Sequence, residues 1–106
     1  MTGLSNEQLV VMYQQTRNNE AFEILWKRNQ GLLYQKAQSF TESTDEEAED
    51  LVMMAYTPFQ RALDTFKSDN GNKFSTYLMA CVTQYFIRLA NKHNAQRRGG
   101  GAKTES

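Results

Sequence analysis

Between Ala48 and Leu89 apolar residues recur every three or four positions on both sides of a polar stretch, Lys67-Ser68-Asp69-Asn70-Gly71-Asn72-Lys73. Two such stripes joined by turn-forming residues can bury themselves only as a helix, a corner and a second helix. In the first stripe Ala48, Leu51, Val52, Ala55, Phe59, Ala62, Leu63 and Phe66 fall within roughly 120° of arc when each residue turns about 100°. Pro58 lies inside it, removes a backbone donor and presses on the carbonyl of Met54, so one helix kinked at Pro58 is expected from about Asp45 to Phe66. Thr44 with Glu47 reads as its capping box, and the acids from Asp45 to Glu47 suit the positive end of its dipole. The second stripe is Phe74, Leu78, Cys81, Val82, Tyr85, Phe86 and Leu89, on a helix expected from about Phe74 to His93.

Upstream, Ser5 and Gln8 form a capping box, and Leu4 with Leu9 a hydrophobic staple, opening a short helix that carries Leu9, Met12 and Tyr13. Polar residues from Thr16 to Asn19 end it and supply an asparagine cap for a second helix from about Glu20 to Phe40. Its stripe is Phe22, Leu25, Trp26, Leu32, Leu33, Ala37 and Phe40. Gly31 inside that helix reads either as a point of close packing or as a tolerated defect costing about 1 kcal/mol relative to alanine. With one proline and only six glycines in 106 residues, the chain reads as one small all-α domain of four principal helices. Residues 1–19 form a capping helix, 20–93 the helical domain, and 94–106, with its glycine run, a flexible basic tail.

The net charge of zero hides an asymmetry. Six acids and no base lie between Glu42 and Asp50, whereas Arg88, Lys92, Arg97, Arg98 and Lys103 face Glu105 alone near the other end. Such runs are most often solvated faces, but they also allow one end to meet a basic partner and the other to meet phosphates. A pI near 6.6 argues against strong DNA binding by the chain alone. One cysteine cannot pair internally, no apolar run approaches the roughly 18 residues of a membrane span, and no signal peptide is visible, so a cytoplasmic location with no membrane contact is expected.

Enzyme chemistry is not legible. One cysteine and one histidine cannot build a metal site, Cys81 lies on the buried stripe with His93 about three turns away, and no glycine-rich phosphate loop follows a strand. No cofactor and no metal is expected. Two surfaces remain. Asp50, Met53, Met54, Thr57 and Arg61 point away from the core of the third helix, and methionines on a polar face suit an adaptable interface or are simply tolerated. Gln84 and Arg88, one turn apart on the fourth helix, can read base edges or hold phosphate, though such residues are more often merely solvated.

The run Glu49-Asp50-Leu51-Val52, then Arg61-Ala62-Leu63-Asp64-Thr65-Phe66, then Gly71-Asn72-Lys73-Phe74-Ser75-Thr76-Tyr77 resembles conserved region 2 of bacterial RNA polymerase sigma factors. The likeness extends over roughly residues 20–98. It implies that the third helix docks on the coiled coil of the largest catalytic subunit of core RNA polymerase through Asp50, Met53, Met54, Thr57 and Arg61. It implies further that the fourth helix recognises the minus-ten promoter element. Gln84 sits where the family reads the upstream base pair, with Ile87 one turn on and Arg88 beside it. Phe74, Ser75, Thr76 and Tyr77 match the corner that captures flipped bases of the non-template strand, with Lys73 just before them as a further DNA-binding candidate, and Asn29 matches an asparagine that approaches one of those bases. Stacking of that kind holds a base at about 1 to 3 kcal/mol.

Three departures accompany the likeness. Met53 and Met54 stand where the family usually has glutamine and glutamate. Ala80 and Cys81 replace the two tryptophans with which primary sigma factors wedge the melting fork. A chain of 106 residues has no room for the domain that reads the minus-thirty-five element, so either a second protein supplies those contacts or this is a fragment of a longer factor. The expected function is therefore a sigma-like initiation factor without catalysis of its own. The alternatives are a sigma-like adaptor that binds polymerase or a regulatory protein without touching DNA, and a dimerisation module using Met53 and Met54.

Overall fold

A computed structural model describes residues 3–68 and 71–102, with side chains up to Gln96. Among the described residues six helices follow one another: α1 (Asn6–Thr16), α2 (Asn19–Gln38), α3 (Thr41–Thr44), α4 (Ala48–Met54), α5 (Tyr56–Thr65) and α6 (Phe74–Ala102). No strand occurs among the described residues, and no described helix is long and apolar enough to cross a membrane.

The N-terminal start signals operate as the side chains dictate. Ser5 Oγ accepts from the Gln8 amide at 3.0 Å while the Ser5 amide donates to Gln8 Oε1 at 2.8 Å, and Leu4 packs on the core beside buried Leu9. Helix α1 stops where Arg17 enters the left-handed region at φ 55°, donating its amide to the Tyr13 carbonyl. Asn18 then caps α2 by accepting from the Ala21 amide at 2.9 Å.

Helix α2 buries Ala21, Leu25, Asn29, Leu33 and Ala37, and α6 buries Phe74, Leu78, Val82, Phe86 and Ala90, each a row of residues four apart. Rows of this kind are the ridges by which helices interdigitate. The narrow α2 row leaves Leu32 outside the core at 40% exposure, against the inward position its spacing suggested. At the centre Phe59 meets Trp26 at 5.1 Å, Phe22 at 5.3 Å and Phe74 at 6.4 Å between ring centroids, all edge to face. Such pairs add about 0.5 to 1.5 kcal/mol each beyond the area they bury.

Between the principal helices the chain departs from its pattern in three places. The expected capping box at Thr44 does not form. That hydroxyl donates to the Phe40 carbonyl at 2.6 Å and accepts from the Glu46 amide, closing the single turn of α3. Asp45 then turns the chain through φ 58°, and Glu47 stands at the N-cap of α4 without a side-chain cap bond. The expected kinked helix is two helices divided at Ala55. Pro58 falls in the first turn of α5, where a missing N–H leaves no bond unmade, so the break precedes the proline. Both halves still turn Ala48, Leu51, Ala55, Phe59, Ala62, Leu63 and Phe66 inward.

The third departure is at the C-terminal end, where the expected tail continues α6 to Ala102. No proline or cap signal intervenes after His93, and Ala95 to Arg98 are ordinary helix formers. His93 therefore lies inside the helix and not at its end. The side chains of Arg97 and Arg98, and Lys103 to Ser106 entirely, lie outside the described residues. At 1.5 Å per residue α6 runs about 43 Å, most of the longest dimension of the molecule, which measures 53 × 23 × 22 Å.

Phe59→Ala is expected to lower unfolding stability by about 3 to 5 kcal/mol, read by urea denaturation, because a fully buried ring touching three others is removed from a packed centre.

Candidate functional site

The corner between α5 and α6 is built from aromatics and hydroxyls. Phe66, the last apolar residue of the first stripe, stands edge to face with Phe74 at 5.4 Å and tilted against Tyr77 at 5.6 Å. Thr65 Oγ1 and Tyr77 Oη are 2.6 Å apart. Gly71 takes φ 74°, a left-handed conformation that a side chain would strain. Lys73 and Thr76 are exposed, and Ser75 and Tyr77 are half-buried. Phe74 is 0% exposed, so its ring braces the corner from within and offers no face to a base. Its amide is also engaged, donating to Glu7 Oε2 at 2.7 Å.

A cleft of about 230 Å³ opens between α5 and α6, lined by Thr57, Pro58, Arg61, Cys81, Gln84, Tyr85 and Arg88. It brings together residues that the sequence assigned to two different partners. Arg61, Gln84 and Arg88 are exposed, as is neighbouring Ile87, and neither arginine has an ion pair among the described residues. Unmatched guanidinium groups beside an amide can hold a phosphodiester and a base edge. Burial pushes the Cys81 thiol above its ordinary range, opposed by its hydrogen bond to Tyr77 and by the charge of Arg61.

A second, more apolar groove of about 520 Å³ lies between α2 and α4, lined by Gln30, Gly31, Tyr34, Glu49, Val52 and Met53. Met53 is 69% exposed and Asp50 is exposed beside it. Met54 goes the other way, half-buried against the core and near Thr44, Leu89 and His93. The two methionines therefore do not share one patch, since the break at Ala55 limits α4 to two turns with Met54 on the side toward α6. A Cβ on Gly31 would meet nothing within 4 Å, so the glycine marks open space and not close packing.

Asn29 is 1% exposed, on the inward row of α2, and its Nδ2 donates to the Leu25 carbonyl at 2.8 Å. It does not reach the surface, so its expected approach to a flipped base has no path in this structure.

These surfaces can be set beside known proteins. A family model, sigma-70 region 2, matches residues 25–96, well over half of the chain. The chain belongs to the sigma-70 region 2 family. No curated protein and no solved structure matches it. Membership gives this sigma-70 region 2 chain a sigma-factor-like role in transcription initiation, and the family implies binding to core RNA polymerase. The family is one of non-enzymatic transcription factors. The matched span takes in the groove, the cleft and the corner, while α1 and the first six residues of α2 precede it.

Sequence reading missed the part α1 plays at the corner. Gln14 Nε2 donates to the carbonyls of Leu63 at 2.7 Å and Phe66 at 2.8 Å, and Arg17 pairs with Asp64. The partners lie 47 to 67 residues away along the chain, beyond any local pattern.

Because burial raises the thiol, Cys81 carries less thiolate near neutral pH than a free cysteine. Its alkylation by iodoacetamide at pH 8 is expected to be slower than in the urea-unfolded chain, the gap narrowing as pH rises above the ordinary thiol range; equal rates at pH 8 would contradict this placement.

Proposed function

We propose that this chain is an initiation factor that binds core RNA polymerase with its α4–α5 side and takes minus-ten promoter DNA along α6. The polymerase side comprises Asp50, Met53, Thr57 and Arg61, with the coiled coil of the largest catalytic subunit seated against Met53 and the α2–α4 groove, while Met54 braces α4 from the core side. The DNA side comprises Lys73, Ser75, Thr76, Tyr77, Gln84, Ile87 and Arg88. Phe74 and Asn29 serve it from inside, holding the corner and α2 in place. Thr57 and Arg61 border both, since the cleft that holds them also holds Gln84 and Arg88. Contacts at the minus-thirty-five element come from a second protein or from sequence beyond this stretch.

The observation that carries the reading is the cleft: two arginines without acid partners flank Gln84 on the helix that runs on from an aromatic corner. A chain of zero net charge holds DNA weakly by itself, because affinity rests on the number of phosphates neutralised. Polymerase binding therefore comes first, and DNA capture follows on the complex.

The adaptor reading draws on another observation. Where primary sigma factors place melting tryptophans this chain has Ala80, exposed, and Cys81, half-buried, while Phe74 is enclosed and the Tyr77 hydroxyl already has a partner. The two readings separate in one experiment. Co-elution with sigma-free core polymerase is followed by addition of a single-stranded minus-ten oligonucleotide, then of a duplex–single-strand fork. Capture supports the initiation factor, and co-elution without capture supports the adaptor.

Met53→Asp is expected to abolish co-elution by placing a charge on an apolar docking surface. Tyr77→Ala should preserve co-elution and weaken oligonucleotide capture by about 1 to 3 kcal/mol, the worth of one stacked base. Gln84→Ala should leave single-strand capture intact and relax discrimination at the fork's upstream base pair by a similar amount; unchanged discrimination would remove Gln84 from the reading.

A further inference from the structure

Helix α1 precedes the span that the family model matches, yet it touches both sides of the corner. Gln14 and Glu7 are seven residues apart, two turns along one face, a separation of about 10.5 Å. Gln14 gives both hydrogens of its amide to the last carbonyls of α5 and the residue after it, at Leu63 and Phe66. Glu7 takes the first amide hydrogen of α6, at Phe74, which helix geometry leaves without an intrahelical partner. Arg17, at the end of α1, pairs with Asp64, and Tyr13 Oη accepts from Gln60 Nε2 at 3.3 Å.

In the turn between these helix ends the described residues, Lys67, Ser68 and Gly71 to Lys73, are all exposed, and Gly71 is left-handed. The two ends touch through Thr65, Phe66, Phe74 and Tyr77, and α1, with its rigid pitch, ties both of their backbones from outside.

We infer that α1 is a splint for the α5–α6 corner, with Glu7 and Gln14 as positioning residues for single-stranded DNA captured at Lys73 to Tyr77; this rests on the DNA-binding reading proposed above. Glu7 also places a carboxylate close to where phosphates would approach. A role through charge and a role through position thus have opposite signs. Removing a repelling charge strengthens capture, and releasing the first turn of α6 weakens it.

The test uses the full chain bound to sigma-free core polymerase, with a fluorescent single-stranded minus-ten oligonucleotide as probe. Glu7→Ala and Gln14→Ala are expected to weaken capture on the order of tenfold with co-elution unchanged, as for loss of a hydrogen bond to a charged or doubly bonded group. Glu7→Gln, whose amide oxygen can still accept from Phe74, should return capture to within about threefold of the parent. Thr44→Ala lowers stability through the turn of α3, on an element apart from α1 and the corner, and should leave capture as it was. Unchanged or stronger capture in Glu7→Ala overturns the inference, as does equal loss in Glu7→Gln or in Thr44→Ala.

A readout without DNA keeps the two readings apart. Amide hydrogen exchange at Phe74 should quicken in Glu7→Ala while Leu25 and Leu33 keep their protection, and unchanged exchange at Phe74 overturns the splint. If Tyr77→Ala leaves capture intact, the DNA reading fails and the positioning role falls with it. If Tyr77→Ala loses capture and Glu7→Ala does not, only the splint is lost.

Discussion

The bundle depends on the meeting of two helical ridges across a single aromatic residue. Helices α2 and α6 each bury a row of residues four apart, and Phe59, from the short α5, fills the space where Trp26 and Phe22 of α2 approach Phe74 of α6. Edge-to-face contacts have directional preferences that aliphatic packing lacks, so this cluster sets the rotation of α5 as well as its depth. The rotation decides what lies outside. With Phe59, Ala62 and Leu63 turned inward, Thr57 and Arg61 must face the flank of α6 that holds Gln84 and Arg88. The cleft is a consequence of the core.

The surface charge follows a similar logic. The Arg17–Asp64 ion pair joins α1 to α5, while Arg61, Lys73 and Arg88 stay uncommitted on the α6 side among the described residues. Exposed charges of that kind contribute little to stability, because water already solvates them. Their value lies in what can be brought to them. A chain of zero net charge that concentrates unpaired cations along one cleft and acids around the start of α4 is polarised for two unlike neighbours, while its long-range attraction to nucleic acid stays low.

Much of the fold was legible because local chemistry and core pattern agree. The Ser5 box, the Asn18 cap and the two stripes each need only neighbours within a turn or two, and the sigma-70 region 2 likeness lies in contiguous residues around Asp50 and Gly71 to Tyr77. What failed was where one side chain had competing uses. Thr44 could cap α4 or close α3, and closing α3 won because the Phe40 carbonyl lies four residues back in reach of its hydroxyl. Pro58 marked a disturbance correctly but not its position, since proline is harmless in a first turn and the chain moved the break to suit. Phe74 and Asn29 carry residue types that suit base capture, yet their register on the i+4 rows of α6 and α2 puts both inside. The bonds from Glu7 and Gln14 were out of reach of any periodicity, because they join elements that only the folded core brings together.

Gly31 shows what the α2–α4 groove demands of the helix beneath it. Nothing in the fold requires a glycine there: its backbone is helical, and a methyl group would have room. Alanine would favour the helix by about 1 kcal/mol, yet the same methyl would project into the groove that Tyr34 and Met53 line. Stability and accessibility therefore pull this one position in opposite directions, and variants selected only for thermal resistance would drift toward a shallower, less receptive molecule.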